Sequence, residues 1–291
     1  MYFAMDKGDM PQLYQMLCEQ RHASPAGLNW FALLDSGFNH RRPPGPRPGA
    51  VWPLYGQPEW GELRQVSPLL IEWSGEDATA WQTLLRHCQR RPMLSFVASR
   101  QDGAALCAAW LRCLQLTTAD GQGYLLRFAD TRISAALSQA LEPASWRRLC
   151  APLEQWLIID RAGRLQTLPL PLPGDTVEED EDWTLSDSEL AALLQAAQPD
   201  MLADRLHDDF VELLPSSGAL LYDWLRRTCE LLAEHGIDNA PDQLTLAVAV
   251  CCSQGVLLDD SRLPALLAKH GQTPDVLDEA LAPLLENAPV A

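Results

Sequence analysis

The 291-residue sequence predicts an α/β N-terminal lobe, with a mixed or parallel sheet, followed by an all-α helical bundle lobe. Three observations carry this prediction. Short apolar runs alternate with helix-period segments as far as residue 170. A stretch of prolines giving way to acids, "LPLPLPGDTVEEDEDW" (168–183), then interrupts the pattern. Beyond it, apolar residues recur only at helical spacing. The domains are therefore read as an α/β domain at 1–176, an acidic linker at 177–184 and a helical domain at 185–291.

In chain order, Pro11 to Arg21 has helical spacing around Leu13 and Leu17. "LNWFALLD" (28–35) is nearly continuous apolar sequence, the mark of a strand buried on both faces. "RRPPGPRPGAVWP" (41–53) is too rich in proline for a helix or central strand and reads as an extended surface loop. Strands are expected at 68–73 and 92–99, with helices from Asp77 to Gln89 and from Asp102 to Gln115 after them. "GYLLRFAD" (123–130) reads as a fourth strand leading into a helix near 131–141. "QWLIID" (155–160) and "RLQTLPL" (164–170) suggest a hairpin across Ala162–Gly163.

In the second lobe Ser186 and Glu189 fit a capping box. Helices are expected from there, from Met201 to Leu214, from Gly218 to His235 with Gly236 as its terminator, and from Pro241 to Gln254. Thr273 and Pro274 should open the last one.

Charge divides the chain unevenly. Residues 1–176 hold 17 basic and 16 acidic side chains, a net of +1, and residues 177–291 hold 5 and 23, a net of −18. Such an acidic half argues against nucleic acid, which selects cationic surface. It suits solubility or a basic protein partner. The eight cysteines show no Cys-x-x-Cys pair, and no histidines stand at zinc spacing, so reduced, mostly buried thiols and no metal are expected. With no membrane-spanning run and no leader pattern, a cytoplasmic protein away from membranes is expected.

Motifs for nucleophilic, phosphate-binding or metallopeptidase chemistry are missing, and no cofactor is expected. Six tryptophans (30, 73, 81, 110, 156 and 224) fall at core spacing. Trp52 and Trp60 instead flank "PLYG" in a loop, where aromatic residues either anchor protein partners or cover a sheet edge. Arg127 lies within a predicted strand. Asp35 and Asp130, each at a predicted strand end, are its expected partners. A paired network of Asp35, Arg127 and Asp130 is the favoured reading, and a ligand- or partner-binding arginine is the alternative.

Taken in order, "FALLDSGFN" (31–39), "PLYG" (53–56), "LRQVSPLLIEW" (63–73) and "LLRFADTRISAAL" (125–137) resemble domain of unknown function 4123, a family of type VI secretion adaptors or effector chaperones. "AEHGIDNAPD" (233–242) and "QGVLLDDSRLPALL" (254–267) add weaker matches. Arg127, Phe128, Asp130 and Arg132 follow the family pattern, whereas Ser67, Leu69, Ala129 and Thr131 depart from it.

The resemblance implies a non-enzymatic adaptor with two partners. It would bind a cognate toxic effector and help load it onto the valine-glycine-repeat spike protein. The two lobes are expected to grip an effector segment, with Trp52, Tyr55, Trp60 and Arg132 as partner-binding residues. The alternatives are an enzyme or anion-binding protein using Arg127, Asp130 and Arg132, and an acidic toxin-binding immunity protein.

Overall fold

The computed structural model describes residues 1–39, 43, 45–74, 76–171, 183–272 and 276–286. Its first strand, β1 (Asn29–Leu34), lies inside a six-stranded sheet with β2 (Val51–Pro53), β3 (Leu69–Glu72), β4 (Leu94–Ser99), β7 (Gln155–Ile159) and β8 (Leu165–Thr167). The order is β2-β3-β1-β4-β7-β8. A second sheet has the order β6-β5-β9, formed by β5 (Gln115–Thr118), β6 (Gly123–Leu125) and β9 (Thr184–Leu185).

Both faces of the larger sheet are buried, which explains its continuous apolar runs. Trp30, Ala32 and Leu34 point to one side, where α1 (Met10–Ala23) and α2 (Ala78–Cys88) contribute Leu13, Leu17, Trp81 and Leu84. Phe31 and Leu33 point to the other. There α3 (Gly103–Leu111), α4 (Thr131–Ala140) and α5 (Pro143–Cys150) contribute Leu106, Trp110, Leu137, Trp146 and Leu149. The six tryptophans read as core are all buried.

Every hydrogen-bonded pair in the larger sheet is antiparallel. The α2 crossover does join two strands running the same way, β3 and β4, but β1 lies between them. The parallel pair is in the smaller sheet, β5 with β9, which makes that sheet mixed.

The helices α6 (Asp187–Asp209), α7 (Gly218–Glu234), α8 (Ala240–Cys252), α9 (Leu263–Gln272) and α10 (Leu277–Leu285) complete the chain. Leu206, Leu225, Leu246, Val250, Leu267 and Leu281 meet in their core. The compact units are Lys7–Leu193 and Met1–Asp6 with Leu194–Ala291, so the division falls within α6 and the first six residues belong to the helical unit. Among the described residues no helix is long and apolar enough to cross a membrane.

Several elements differ from expectation. The strand expected over 123–130 stops at Leu125, because the chain turns with Asp130 N–H on the Arg127 carbonyl at 3.0 Å. Helices α5 and α9 and strands β5 and β9 went unpredicted. Two helices were expected on either side of Pro199, yet α6 runs through it. The carbonyl that proline leaves unpaired belongs to Gln195, which is exposed to water. The proline-rich loop ends in edge strand β2, where Pro53 costs no central hydrogen bond. Arg41, Arg42, Pro44, Thr273, Pro274 and residues 177–182 of the expected linker lie outside the described residues.

Candidate functional site

Asp35 follows the last residue of β1, and its carboxylate is 1% exposed. Its N–H donates to the Met93 carbonyl at 2.8 Å, and Thr131 N–H donates to the neighbouring Pro92 carbonyl at 2.9 Å. The segment entering β4 thereby brings the end of β1 and the start of α4 together. Asp130 caps α4, accepting from Arg132 N–H at 3.0 Å.

Asp35 and Asp130 each have their own arginine. Arg127 Nη2 donates to Asp35 Oδ2 at 2.8 Å, while Gly37 N–H donates to Oδ1 at 2.9 Å. Arg132 grips Asp130 through Nε to Oδ1 at 3.1 Å and Nη2 to Oδ2 at 2.8 Å. The bidentate fork occupies both oxygens of Asp130. Both guanidinium groups also lie against one ring, with Cζ of Arg127 5.3 Å and Cζ of Arg132 5.8 Å from the centre of Phe38.

Burial pushes the Asp35 carboxyl above the ordinary carboxylate range, despite the opposing pull of Arg127 and of the Gly37 N–H. The Asp130 charge adds to the rise. Burial likewise pushes the Tyr55 hydroxyl up to about 12, with Asp35 contributing.

Asp35 is therefore the partner expected for Arg127, and Asp130 belongs to Arg132 instead. Arg127 is paired but not buried: its side chain is 47% exposed, because the strand ends two residues before it. Phe38, which joins the two pairs, was missed as a site residue. It lies three positions after Asp35 in the quoted "FALLDSGFN" segment.

Trp52 is half-buried, edge-on to Phe31 at 5.9 Å, and its ring closes over Gly103, where any Cβ would overlap it. Trp60, also half-buried, stacks on Tyr55 at 5.6 Å. Tyr55, expected among the partner-binding residues, is itself 2% exposed and belongs to the core. Of the pair that could either cover the sheet edge or anchor a partner, both pack on the core and keep an exposed part.

The departures from the family pattern have local consequences. Ser67 Oγ accepts from Tyr55 N–H at 2.9 Å, a bond a glycine there could not make. Thr131 supplies the N–H that meets Pro92, which a proline would lack.

Residues 30–148 match the family model described as domain of unknown function DUF4123. That family is associated with type VI secretion. The match contains all seven residues singled out from the sequence: Asp35, Trp52, Tyr55, Trp60, Arg127, Asp130 and Arg132. No curated protein and no solved structure matches the chain.

Proposed function

We propose that the chain is a cytoplasmic, non-catalytic adaptor of a type VI secretion system, binding a toxic effector and helping to load it onto the valine-glycine-repeat spike protein. The DUF4123 match across the segment that builds the two arginine–carboxylate pairs carries this reading. Their chemistry supports it. Asp35 and Asp130 are each held by an arginine and by a backbone N–H, which suits positioning of a surface better than transfer of a proton. The solvent-facing parts of Arg127, Arg132, Trp52 and Trp60 offer the arginine and aromatic side chains that dominate protein interfaces. The net charge of −18 beyond residue 176 would favour a basic surface on effector or spike.

The test is affinity capture of the tagged full chain from its native cell, with mass spectrometry of what is bound, and a secretion assay in cells lacking the gene. Recovery of a spike protein with a toxin, and export of that toxin abolished while its toxicity persists, is the expected result. Inhibition of the toxin by the chain would instead identify an immunity protein. Capture of neither partner in cells expressing the apparatus would overturn the adaptor reading.

A further inference from the structure

Among the described residues the smaller sheet has an open edge at β6. This strand pairs on one side with β5, matching Gly123 to Thr117 and Leu125 to Gln115. Thr118 N–H reaches the Gln122 carbonyl at 2.9 Å, and Leu126 N–H reaches the Leu114 carbonyl at 2.8 Å. In an antiparallel ladder, bonded and non-bonded pairs alternate. The pairs 118–122, 116–124 and 114–126 are therefore the bonded ones, and Gly123 and Leu125 turn their N–H and C=O groups away from β5. The same alternation points Thr117 N–H outward on the far side, where it meets the Trp183 carbonyl at 2.8 Å.

This edge lacks the usual protection of lysine, proline or a bulge. Gly121, Gln122, Gly123 and Tyr124 are exposed, Tyr124 by 49%. Among the described residues no atom stands within 4 Å of where a Cβ on Gly123 would lie. Two residues past Leu125 comes Arg127. Its Nη2 is committed to Asp35, while Nε and Nη1 have no partner among the described residues.

We propose that β6 accepts an extended segment of a partner protein as an added strand, and that an acidic side chain of that segment binds the two open donors of Arg127. The edge supplies four main-chain hydrogen-bonding groups, and the guanidinium supplies the charge selection. A second copy of this chain is the poorer occupant. Two β6 strands paired about Tyr124 would set each Arg127 opposite Gly121, which offers no carboxylate. The nearby Asp120 already accepts from the Thr118 hydroxyl and from Gln122 N–H. The proposal stands on the α/β unit alone and holds for any protein partner.

The experiment is an array of synthetic octapeptides, each position fixed in turn against mixtures elsewhere, probed with the full-length protein. Binding should favour Asp or Glu at one position. The best peptide, resynthesised with N-methyl groups on alternate residues, should lose more than tenfold in affinity for one alternate set and little for the other. Arg127→Gln should weaken that peptide about tenfold. The same variant should bind a version with Gln in place of the acid as the parent does, which separates a lost contact from a damaged fold. No binding by any peptide, no acidic preference, or equal sensitivity to both methylation patterns would overturn the proposal. Self-association that peptide does not displace would assign the edge to a second copy instead.

Discussion

Arg127 and Asp35, separated by 92 positions in sequence, are joined by one hydrogen bond of 2.8 Å between a half-exposed guanidinium and a buried carboxylate. The inequality in burial makes the pair asymmetric. Arg127 can recover water if its partner is lost, whereas Asp35 cannot. Arg132 and Asp130 repeat the pattern one turn further on, with Phe38 packed against both guanidinium groups.

Arg127→Gln should cost about 1–2 kcal/mol at neutral pH, less than a fully buried pair because the arginine is solvated. Burial already raises the Asp35 carboxyl, and removal of its cation raises it further. The folded state then binds a proton more readily than the unfolded one, so this variant's deficit should shrink as pH falls toward 4. In an Asp35→Asn background the Arg127 substitution should cost far less. Urea titrations of the four proteins at pH 7 and pH 4 measure the coupling; additive losses at both pH values would dismiss it.

Glu189 shows the opposite pH dependence. It accepts from Ser186 N–H at 2.9 Å and from Glu142 N–H at 3.0 Å, joining the start of α6 to the start of α5. Burial pushes its carboxyl up, but the backbone N–H groups of Ser186 and Glu142 outweigh this and hold it below the ordinary range. Its stabilisation is therefore present above the ordinary glutamate range and lost as pH falls through the lowered value. Glu189→Ala should cost about 1–2 kcal/mol at pH 7. Denaturation midpoints of variant and parent should converge near pH 3, and a constant gap would refute the assignment.

Signals confined to a few neighbouring residues were legible in the sequence. The Ser186–Glu189 box closes as expected, and Gly163 and Gly236 adopt φ of 74° and 69° at their turns. Asp35 was legible as a partner of Arg127 because an acid at the end of a buried strand needs a counter-charge. The exposure of Arg127 was not, since "GYLLRFAD" has strand-like composition and only the turn closed by Asp130 N–H ends it. Helix α5 was hidden by its eight-residue length, too short for a clear period. The two-residue strand β9 depends wholly on β5, 67 positions earlier.

Thiol chemistry should single out one residue. Cys252 is exposed. Burial pushes the thiols of Cys107 and Cys251 up to about 12 and that of Cys229 to about 11, and it raises Cys88, Cys113 and Cys150 as well. Since the thiolate is the reactive form, Ellman's reagent at pH 8 should modify Cys252 in a fast phase that Cys252→Ser removes. Eight thiols should react in denaturant. Persistence of the fast phase in Cys252→Ser would show that another thiol is the accessible one.

The first six residues should behave as part of the helical unit. Ala4 is buried in its core, and the Tyr2 ring stacks on His207 at 4.5 Å. Asp6 accepts from Gly218 N–H and from Ser217 Oγ, each at 2.7 Å, and so supplies an acid at the start of α7 from more than 200 positions away. Gly218 is required here by close approach, since a Cβ would overlap the backbone of Met5. Asp6→Ala should cost about 1–2 kcal/mol by loss of the cap bonds. Gly218→Ala should cost more, because it displaces the whole segment. Hydrogen exchange on the full-length variants should show faster exchange in the first turn of α7 and unchanged protection in β1 and β4. Unchanged exchange in α7 for both variants would mean that the N-terminal segment contributes nothing to that helix.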